Sequence, residues 1–543
     1  MRTVTNMTDS QTDVVVVGAG FGGLYALHKL RGQGLSVRVF EAAPDVGGTW
    51  YFNRYPGARC DVESVDYCYS FSDELQQEWS WSEKYATQTE ILAYINWVAD
   101  KLQLRNGITV NTRVTAATLD EATGRWQVTA EGPEGTENVC ARFVVMATGP
   151  LSAALTPNFP GLKDFAGRIY HTAHWPHEGV DFTGQRVAVI GTGSSGIQSI
   201  PVIAEQADHL YVFQRTPNYS VPAGNRPLTD DELVEIKATY AERRRRSWQS
   251  GGGSPHVTHP KLTMEASPAE RRAAFEKRWD LGGVLFSKTF ADQMTDLQAN
   301  EEARKFYEEK VRAMIDNPDL ADLLIPNDHP IGTKRICTDT NYFATFNRPH
   351  VELISVRSTP IESIDATGIN TSDAHYDLDA IVLATGFDAM TGALAKIDIA
   401  GRDGRRLVDA WADGPRTYLG MAIDGFPNLF LLSGPGSPAV LANMVLHAEA
   451  NVNWIAAAIT YLDEHGYAAI EASPEAVSDW IAECNRLADA TLFPRANSWY
   501  MGANVPGKPR IFMLFIGGFG VYLDICDEVA REGYRGFVLH RAA

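Results

Sequence analysis

Apolar and polar positions follow the same order in two separate parts of the chain: an apolar run, a glycine-rich turn, a helical stretch and a second apolar run. The first part begins with the apolar residues 14–17 and ends at Glu41, and the second covers residues 185–216. An unbroken apolar run of this length is typical of a parallel strand that is buried on both faces. The pattern therefore predicts an α/β protein with two Rossmann-like dinucleotide-binding domains.

Two further apolar strands and one helical region complete the predicted pattern. The segments 141–150 and 378–389 each contain an apolar strand that ends in Ala-Thr-Gly, and we expect the chain to cross between the two domains there. Residues 221–330 interrupt the second domain and are rich in Ala, Glu, Arg and Lys, with helical spacing of their apolar positions. A loop rich in Gly, Ser and Pro at 250–260 divides them. These features predict an inserted helical domain.

The first glycine turn has the spacing of a pyrophosphate-binding turn. Gly18 permits the tight turn, Gly20 lets the backbone approach a pyrophosphate, and Gly23 lets the helix pack on the strand. A pyrophosphate would lie at the helix N-terminus, where N–H groups and the helix dipole favour an anion. Glu41 follows about 20 residues later, where a carboxylate binds ribose hydroxyls and repels a 2′-phosphate. This domain is therefore predicted to bind FAD or NAD, through Gly18, Gly20, Phe21, Gly23 and Glu41.

The second glycine turn, residues 191–196, repeats this spacing but differs at the ribose position. Alignment of the two second strands places Gln214 and Arg215 where the first domain has Glu41. The guanidinium of Arg215 and the hydroxyl of Thr216 suit a 2′-phosphate. This domain is predicted to bind NADPH. Together with an FAD in the first domain, this predicts a flavoprotein that accepts hydride from NADPH. The predicted contacts are Gly191, Thr192, Gly193, Ser194, Ser195, Gly196, Arg215 and Thr216.

Charge and cysteine content exclude several functional classes. The chain of 543 residues has a formal net charge of −19, which argues against a nucleic-acid partner because a polyanion requires a basic face. Its one basic run, at 241–246, is expected to be a solvated helix face. The six cysteines are scattered without a CxxC pair or zinc spacing, so we predict no metal site and no dithiol redox centre.

The sequence also predicts where the protein works. No stretch has the roughly 18 apolar residues of a membrane span, and the first twelve residues are polar, which indicates a loose tail and not a signal peptide. Scattered cysteines fit a reducing compartment. We therefore expect a soluble cytoplasmic enzyme without a membrane partner. The oligomeric state is left open, and a monomer is compatible with the sequence.

A segment between the two glycine turns indicates what receives the electrons. A disulfide, another electron carrier and dioxygen are the candidates, and the first lacks its cysteine pair. The segment FAGRIYHTAHWP matches the pattern FxGxxxHxxxWP through Phe165, Gly167, His171, Trp175 and Pro176. In this pattern the chain resembles the type I Baeyer–Villiger monooxygenases, FAD- and NADPH-dependent enzymes that insert one atom of O₂ next to a ketone carbonyl. Related flavin monooxygenases and N-hydroxylases usually differ at the Trp-Pro end.

The resemblance extends over nearly the whole chain after the tail. Five more segments are similar to family segments: 47–64, 332–348, 383–394, 434–444 and 498–510. Their amino-acid sequences are most similar to those of the phenylacetone and steroid monooxygenase branch. The resemblance implies that the fingerprint lies on the linker between the two domains, with His171 coupling domain movement to cofactor state. A structural histidine is the alternative.

The resemblance implies a catalytic pair and further cofactor contacts. Oxygen insertion in the family passes through a C4a-peroxyflavin and a Criegee intermediate, and an arginine beside both anions suits this chemistry because it stays protonated. Arg335 matches the active-site arginine and Asp61 its carboxylate partner, with a structural salt bridge as the alternative. The other implied contacts are Thr49, Trp50, Asp61, Tyr67 and Met444 for FAD, and Lys334, Arg335 and Trp499 for NADPH, with Lys334 at the 2′-phosphate and Trp499 on a loop that closes over the cofactor. A tryptophan in the core is the alternative for Trp499. Arg59 is expected to face a phosphate of NADPH, with solvent as the alternative.

By the same resemblance, residues 1–150 and 386–543 form the FAD-binding domain, 151–220 and 331–385 the NADPH-binding domain, and 221–330 the helical insertion. The expected substrates are O₂ and an aryl, long-chain or bulky cyclic ketone, including steroid ketones. Pro150 offers no hydrogen-bond donor to such a substrate. Two alternatives stay open: a flavin N- or S-oxygenase, and a non-oxygenating NADPH oxidase.

Overall fold

Strands and helices alternate through residues 10–541, the part of the chain that the computed structural model describes. The strands are β1 (Ser10–Val17), β2 (Val37–Phe40), β3 (Ile108–Thr109), β4 (Arg113–Asp120), β5 (Arg125–Gly132), β6 (Gly135–Met146), β7 (Arg168–His171), β8 (Arg186–Ile190), β9 (His209–Gln214), β10 (Ser220–Pro222), β11 (Cys337–Asp339), β12 (Val351–Ser355), β13 (Ile361–Ile364), β14 (Gly368–Thr371), β15 (His375–Asp377), β16 (Ala380–Leu383), β17 (Asp398–Ala400), β18 (Leu429–Leu431), β19 (Tyr467–Ala472) and β20 (Phe537–Arg541).

The α-helices are α1 (Phe21–Gly32), α2 (Thr49–Phe52), α3 (Asp73–Glu78), α4 (Gln88–Lys101), α5 (Ser194–Ala204), α6 (Asp230–Gln249), α7 (Pro268–Leu281), α8 (Leu297–Arg312), α9 (Pro318–Leu324), α10 (Tyr342–Thr345), α11 (Leu407–Ala410), α12 (Met444–His465), α13 (Pro474–Asp489) and α14 (Phe519–Arg531). Within residues 10–541, none of the helices has the length and apolar character that would let it cross a membrane.

The first sheet carries the first glycine turn, and its strand order is β17-β4-β5-β6-β1-β2-β3. Strand β1 pairs in parallel with β2 and β6, and β18 pairs in parallel with the end of β6. Val14 and Val16 lie in one apolar core and Val15 and Val17 in another. The prediction of a strand that is buried on both faces is therefore confirmed.

The second sheet carries the second glycine turn and has the order β12-β9-β8-β16-β7, with every pairing parallel. The two Ala-Thr-Gly exits follow β6 and β16, beside the strands that carry the glycine turns. A Cβ on Gly18 would come within 2.6 Å of the Ala147 carbonyl oxygen, and a Cβ on Gly191 within 2.4 Å of the Ala384 carbonyl oxygen. Each turn is thus packed against the exit of its own sheet, and only glycine fits there. The expected architecture of two Rossmann-like units is confirmed.

The helical residues after β10 end at β11, which pairs with β10 in parallel in a separate two-stranded sheet. Helices α6 to α9 lie between these two strands. Phe275, Phe306 and Tyr307 of this region share an apolar core with Val187 and Val189 of β8. The region therefore packs on the second sheet, and the exact boundaries of the three domains stay a prediction.

Two expectations about polar segments are wrong in part. Strand β1 begins at Ser10, so the last three residues of the expected tail belong to the sheet: Ser10 pairs with Val139, and the Thr12 hydroxyl donates to the Ser36 carbonyl at 2.8 Å. Residues 1–9 of that tail lie outside the described residues. The basic run is a solvated face only in part: Arg245 and Arg246 are exposed, but Arg244 is 5% exposed and Arg243 forms ion pairs with Glu63 and Asp66.

Candidate active site

A cavity of about 1650 Å³ lies where the two glycine-turn units and residues of the C-terminal region meet. This volume exceeds the roughly 300–1,000 Å³ that a single small ligand usually occupies. Most of the residues predicted to bind cofactor or substrate line it. They are Thr49, Trp50, Arg59, Asp61, Tyr67, Gly191, Thr192, Gly193, Ser194, Ser195, Arg215, Thr216, Lys334, Arg335, Met444 and Trp499.

Arg335 and Asp61 form a two-pronged ion pair in this cavity, although 274 positions separate them. The Arg335 Nε donates to Asp61 Oδ2 and the Nη2 to Asp61 Oδ1, both at 2.8 Å. The remaining Nη1 donates to the Val440 carbonyl at 2.8 Å. Burial opposes the charge, yet Asp61 holds the pKa of Arg335 above its usual range. The pair therefore presents a permanent cation whose orientation is fixed.

Aromatic residues form the wall beside Asp61. Trp50 is buried on α2, and its indole N–H donates to the Tyr67 hydroxyl at 3.2 Å. The Phe21 ring meets the Tyr67 ring edge to face with 5.4 Å between centroids. Burial raises the pKa of Tyr67 well above its ordinary value, so the phenol stays neutral. Met444 begins α12 on another side of the cavity.

The first glycine turn lies apart from the residues that line the cavity: Gly18, Gly20, Phe21, Gly23 and Glu41 are not in its wall. The Glu41 carboxylate is buried and accepts the backbone N–H groups of Ala19 at 2.6 Å and Ala43 at 2.8 Å. Burial raises its pKa. Glu41 therefore already holds the glycine turn in shape, and its predicted contact with a ribose stays a prediction.

Both glycine turns lead into a helix whose N-terminus lacks a side-chain cap. Gly20 precedes α1 and Gly193 precedes α5, and neither can supply a capping oxygen. The first N–H groups of each helix therefore suit an anion. No heavy atom lies within 4 Å of a Cβ built on Gly193, whereas a Cβ on Gly48 would come within 2.9 Å of the Gly20 Cα. Gly23 and Gly196 pack against carbonyl oxygens of their own turns.

Several cations gather at the end of β9. Arg215 and Lys334 line the cavity, and neither makes a salt bridge with any residue that the structure describes. Burial lowers the pKa of Lys334; the Asp328 carboxylate opposes this shift, and the positive charges of Arg215 and Arg357 add to it. Arg357 donates to the Thr216 hydroxyl at 3.2 Å and to Asp328 at 2.6 Å. This positive cluster suits a phosphate.

Arg357 and Asp328 line the cavity but were missing from the sequence-based site. The signal for Arg357 was strand pairing: β12 pairs in parallel with β9, with Ser355 opposite Gln214. The ends of neighbouring parallel strands meet at the same edge of a sheet. Arg357, two residues beyond β12, therefore lies beside Thr216, two residues beyond β9. Asp328 lies in a loop and has no such signal.

Arg59 lines the cavity, but its guanidinium has protein partners. It pairs with the Glu83 carboxylate and donates to the Tyr85 carbonyl. The Arg59 carbonyl accepts the side-chain amide of Gln198, on α5, at 3.1 Å. These contacts tie the loop before Asp61 to the second sheet. A contact between Arg59 and NADPH stays a prediction.

Trp499 lines the cavity at the start of a loop that is fixed at two points. The Asn504 side chain donates to the Phe387 carbonyl at 2.8 Å, and the Lys508 ammonium pairs with Asp388 at 2.6 Å. Both contacts are with the segment that follows the second Ala-Thr-Gly exit. The neighbouring wall is apolar through Leu151, Val440, Ala442 and Met444, while Pro150 is not among the lining residues.

The fingerprint residues Phe165, Gly167, His171, Trp175 and Pro176 lie outside the cavity wall. Phe165 and Trp175 are buried in two different apolar cores. A Cβ on Gly167 would come within 2.5 Å of a backbone carbonyl oxygen. Within the fingerprint, Arg168–His171 forms the edge strand β7, which pairs with β16, and the role of the segment as a linker between the two domains stays a prediction. An anchored edge strand is less free to move than a linker.

His171 is held by backbone groups. Its Nδ1 accepts the N–H of Ala173 at 3.0 Å, so its Nε2 carries the proton that faces the Leu155 carbonyl at 3.3 Å. Burial lowers the pKa of His171, which favours the neutral ring. These contacts place His171 at a joint between β7 and the segment that leaves the first sheet, and its coupling role stays a prediction.

The six cysteines are unpaired and buried. Within residues 10–541, no group of three or more His, Cys, Asp or Glu side chains is arranged to hold a metal ion.

Comparison with known proteins agrees with the arrangement of the cavity. Residues 11–222 match the flavin-binding monooxygenase-like family. A solved structure of an oxidized steroid monooxygenase bound to NADP is 63% identical, with a TM-score of 0.94 over 98% of this chain and 100% of that chain. The acetone monooxygenase (methyl acetate-forming) of Gordonia sp. strain TY-5 is 43% identical over 98% of this chain and 100% of the relative. A phenazine N-monooxygenase of Lysobacter antibioticus is 38% identical over 97% of both.

The matches to the three relatives extend over nearly the whole of each chain, so the similarity includes both sheets and not one shared unit. Conversion of acetone to methyl acetate, as the name of the second relative states, is the insertion of oxygen next to a ketone carbonyl. The chain belongs to the flavin-binding monooxygenases of the Baeyer–Villiger type.

Proposed function

We propose that this protein is an FAD- and NADPH-dependent monooxygenase that converts a ketone into an ester or lactone. The observation that carries the proposal is the Arg335–Asp61 pair, a fixed cation in a cavity shared by two dinucleotide-binding units. Oxygen insertion builds negative charge on the ketone oxygen, and a fixed cation beside it lowers the barrier.

The residues present fit both cofactors. For FAD, the uncapped N-terminus of α1, the close glycines Gly20 and Gly48, and Tyr67 with Trp50 would hold the pyrophosphate and the ring system. For NADPH, the uncapped N-terminus of α5 would hold the pyrophosphate. Its 2′-phosphate would pair with the cations at the end of β9, Arg215, Lys334 and Arg357. When bound, the two cofactors would supply hydride and activated oxygen.

Arg335 and Asp61 would act as a unit. Because Arg335 stays protonated, it can donate a hydrogen bond to a ketone oxygen and stabilise the charge that develops there. Asp61 occupies two of its donors and so prevents the guanidinium from rotating away. The Trp499 loop, tied to the segment 387–389, would keep water from the reacting atoms.

The apolar wall supports a bulky ketone as substrate. Leu151, Val440, Ala442 and Met444 offer no charged group that would select a polar chain. Such a wall orients a substrate mainly by shape. The steroid monooxygenase with 63% identity supports an aryl, long-chain or cyclic ketone of steroid size, in preference to acetone.

An N-oxygenase remains the second candidate because a phenazine N-monooxygenase is 38% identical over nearly the full chain. A heteroatom nucleophile needs no cation to stabilise an oxyanion. The fixed Arg335–Asp61 pair therefore favours the ketone.

The test is an aerobic assay of the purified yellow holoenzyme. NADPH consumption, H₂O₂ release and products are measured with phenylacetone, cyclohexanone, a 20-ketosteroid, a thioether and an amine. We expect ketone-stimulated NADPH consumption, an ester or lactone, and little H₂O₂. Oxidation of the amine alone would support the N-oxygenase, and H₂O₂ formation that no substrate changes would indicate an NADPH oxidase.

A further inference from the structure

Asp66 is a buried residue whose hydrogen bonds join three parts of the chain. It is 2% exposed, and its carboxylate accepts the Nε and Nη2 of Arg243 at 2.5 and 2.7 Å. Its backbone carbonyl accepts Nη1 of Arg244 at 3.1 Å and the side-chain amide of Asn443 at 2.7 Å. Four donors from two distant segments therefore converge on one residue.

The partners of Asp66 connect the helical insertion with the cavity. Arg243 and Arg244 belong to α6. Asn443 is the N-cap of α12, where its side chain accepts the N–H of Val445 at 3.0 Å, and its own N–H donates to the Gly252 carbonyl at 2.9 Å. The residues on either side of Asn443 line the cavity. The insertion is therefore in contact with the cavity wall through side chains of α6 and through the loop that follows α6.

Asp66 also belongs to the loop that carries the reacting pair. It immediately precedes Tyr67 and lies five positions after Asp61, both of which line the cavity. Arg243 reaches further along the same loop, because its Nη2 also donates to Glu63 at 3.0 Å. A shift of α6 would therefore move the carboxylate that orients Arg335.

Burial makes this contact sensitive to loss of one partner. The Asp66 side chain is 3% exposed and the Arg243 side chain 26% exposed. Without Arg243, a buried carboxylate would keep no cationic partner on its side-chain oxygens, and the loop would have to move to hydrate it. An exposed pair would tolerate the same change, because water replaces the partner.

We propose that Arg243 is a positioning residue for oxygen insertion: through Asp66, it sets the place of the loop that carries Asp61 and Tyr67. The proposal rests on the proposed function. Arg243 is not among the residues that line the cavity and acts through Asp66.

The test compares Arg243→Gln with Arg245→Gln in the purified holoenzyme. Arg245 belongs to the same basic run, but its side chain is 58% exposed and pairs with Glu242, also exposed. The measurements are ester formed per NADPH, H₂O₂ per NADPH, the visible flavin spectrum, and hydrogen exchange of the backbone amides of residues 61–68. Arg243→Lys keeps the positive charge but lacks the paired N–H donors of the guanidinium. Asp66→Asn is the second variant, in case Arg243→Gln does not fold.

We expect Arg243→Gln to lower kcat for ester formation by roughly 10- to 100-fold, as displacement of a reacting group does. The H₂O₂ share should rise, the flavin spectrum should shift, and exchange at 61–68 should increase, with Arg243→Lys intermediate and Arg245→Gln like the wild type. Asp66→Asn should change the same quantities in the same direction. Lower thermal stability with wild-type product ratio and exchange would overturn the proposal. If the wild type forms no ester, the proposed function fails, and the spectrum and exchange still decide the role of Arg243.

Discussion

The second and third glycines of the turn 191–196 are predicted to respond differently to the same added methyl group. Gly193 has φ −84° and ψ −172°, which alanine also adopts, and no atom lies within 4 Å of its Cβ position. A Cβ on Gly196 would come within 2.2 Å of the Gly191 carbonyl oxygen. Gly193→Ala therefore changes the space in front of α5, whereas Gly196→Ala changes the fold itself.

The expected magnitudes follow from these distances. For Gly193→Ala, a less favourable cap and a less flexible unfolded chain offset each other, so the free energy of unfolding should change by less than about 1 kcal/mol. The methyl group would occupy the space predicted for the NADPH pyrophosphate, and we expect the KM for NADPH to rise about 10- to 100-fold, or about 1.4–2.8 kcal/mol. Gly196→Ala must displace backbone by more than about 1 Å, which should cost about 1–3 kcal/mol of stability.

The assay is steady-state kinetics at varied NADPH, together with thermal unfolding of the holoenzyme followed by flavin fluorescence. Gly193→Ala should raise the KM for NADPH and leave the Tm and the KM for the ketone near those of the wild type. Gly196→Ala should lower the Tm. A Gly193→Ala variant with wild-type KM and wild-type Tm would refute the placement of the pyrophosphate at this turn.

Two further predictions concern the cavity, and a third concerns Glu449, a buried carboxyl group on α12 that accepts the Ser70 N–H. Arg335→Lys should lower kcat for ester formation by about 10²- to 10³-fold, because one ammonium group cannot replace the three directed donors of the guanidinium. The measurement is a product assay at matched FAD content, and an unchanged kcat would contradict the role of the guanidinium. Arg215→Ala and Lys334→Ala should each raise the KM for NADPH about 10-fold while leaving that for NADH unchanged, since NADH lacks the 2′-phosphate; equal effects on both would contradict it. Glu449→Gln should raise the Tm more at pH 8 than at pH 5. Burial raises the pKa of Glu449 to about 7 from 4.5, so wild-type stability is lost as pH rises through this window; a pH-independent difference would contradict this cause.

The sequence predicts features that depend on local spacing. The apolar runs of β1 and β8, the glycine turns after them and the Ala-Thr-Gly exits all follow from patterns within about 30 residues. The packing that requires glycine is not local, because Gly18 faces Ala147 and Gly191 faces Ala384, which are 129 and 193 positions later in the chain. The apolar runs and the glycine spacing required no knowledge of distant contacts, so the two Rossmann-like units could be predicted, but the strand order of each sheet could not.

Contacts between distant positions required more than pattern. The Arg335–Asp61 pair spans 274 positions and came from a family resemblance. Arg357 depends on which strand lies next to β9. Arg243 and Arg245 are the same residue type two positions apart, but Arg243 is half-buried against Asp66, 177 positions earlier in the chain, and Arg245 is exposed. Composition cannot separate such residues, because burial depends on tertiary packing.

The arrangement of charge explains how an acidic chain can serve two anionic cofactors. A net charge of −19 repels anions at long range, but screening limits that field to about 10 Å, so local charges decide binding. In the cavity the cations differ in their partners. Arg335 is tied to Asp61 and so is oriented, while Arg215 and Lys334 make no salt bridge with any described residue. A cation that is paired with a carboxylate attracts an anion less strongly but is held in one orientation, which suits a reacting group. A cation without such a partner attracts a phosphate more strongly. Asp61 therefore fixes the reacting cation, while at the end of β9 Asp328 pairs with Arg357 and leaves Arg215 and Lys334 without an ion pair among the described residues, available to a phosphate.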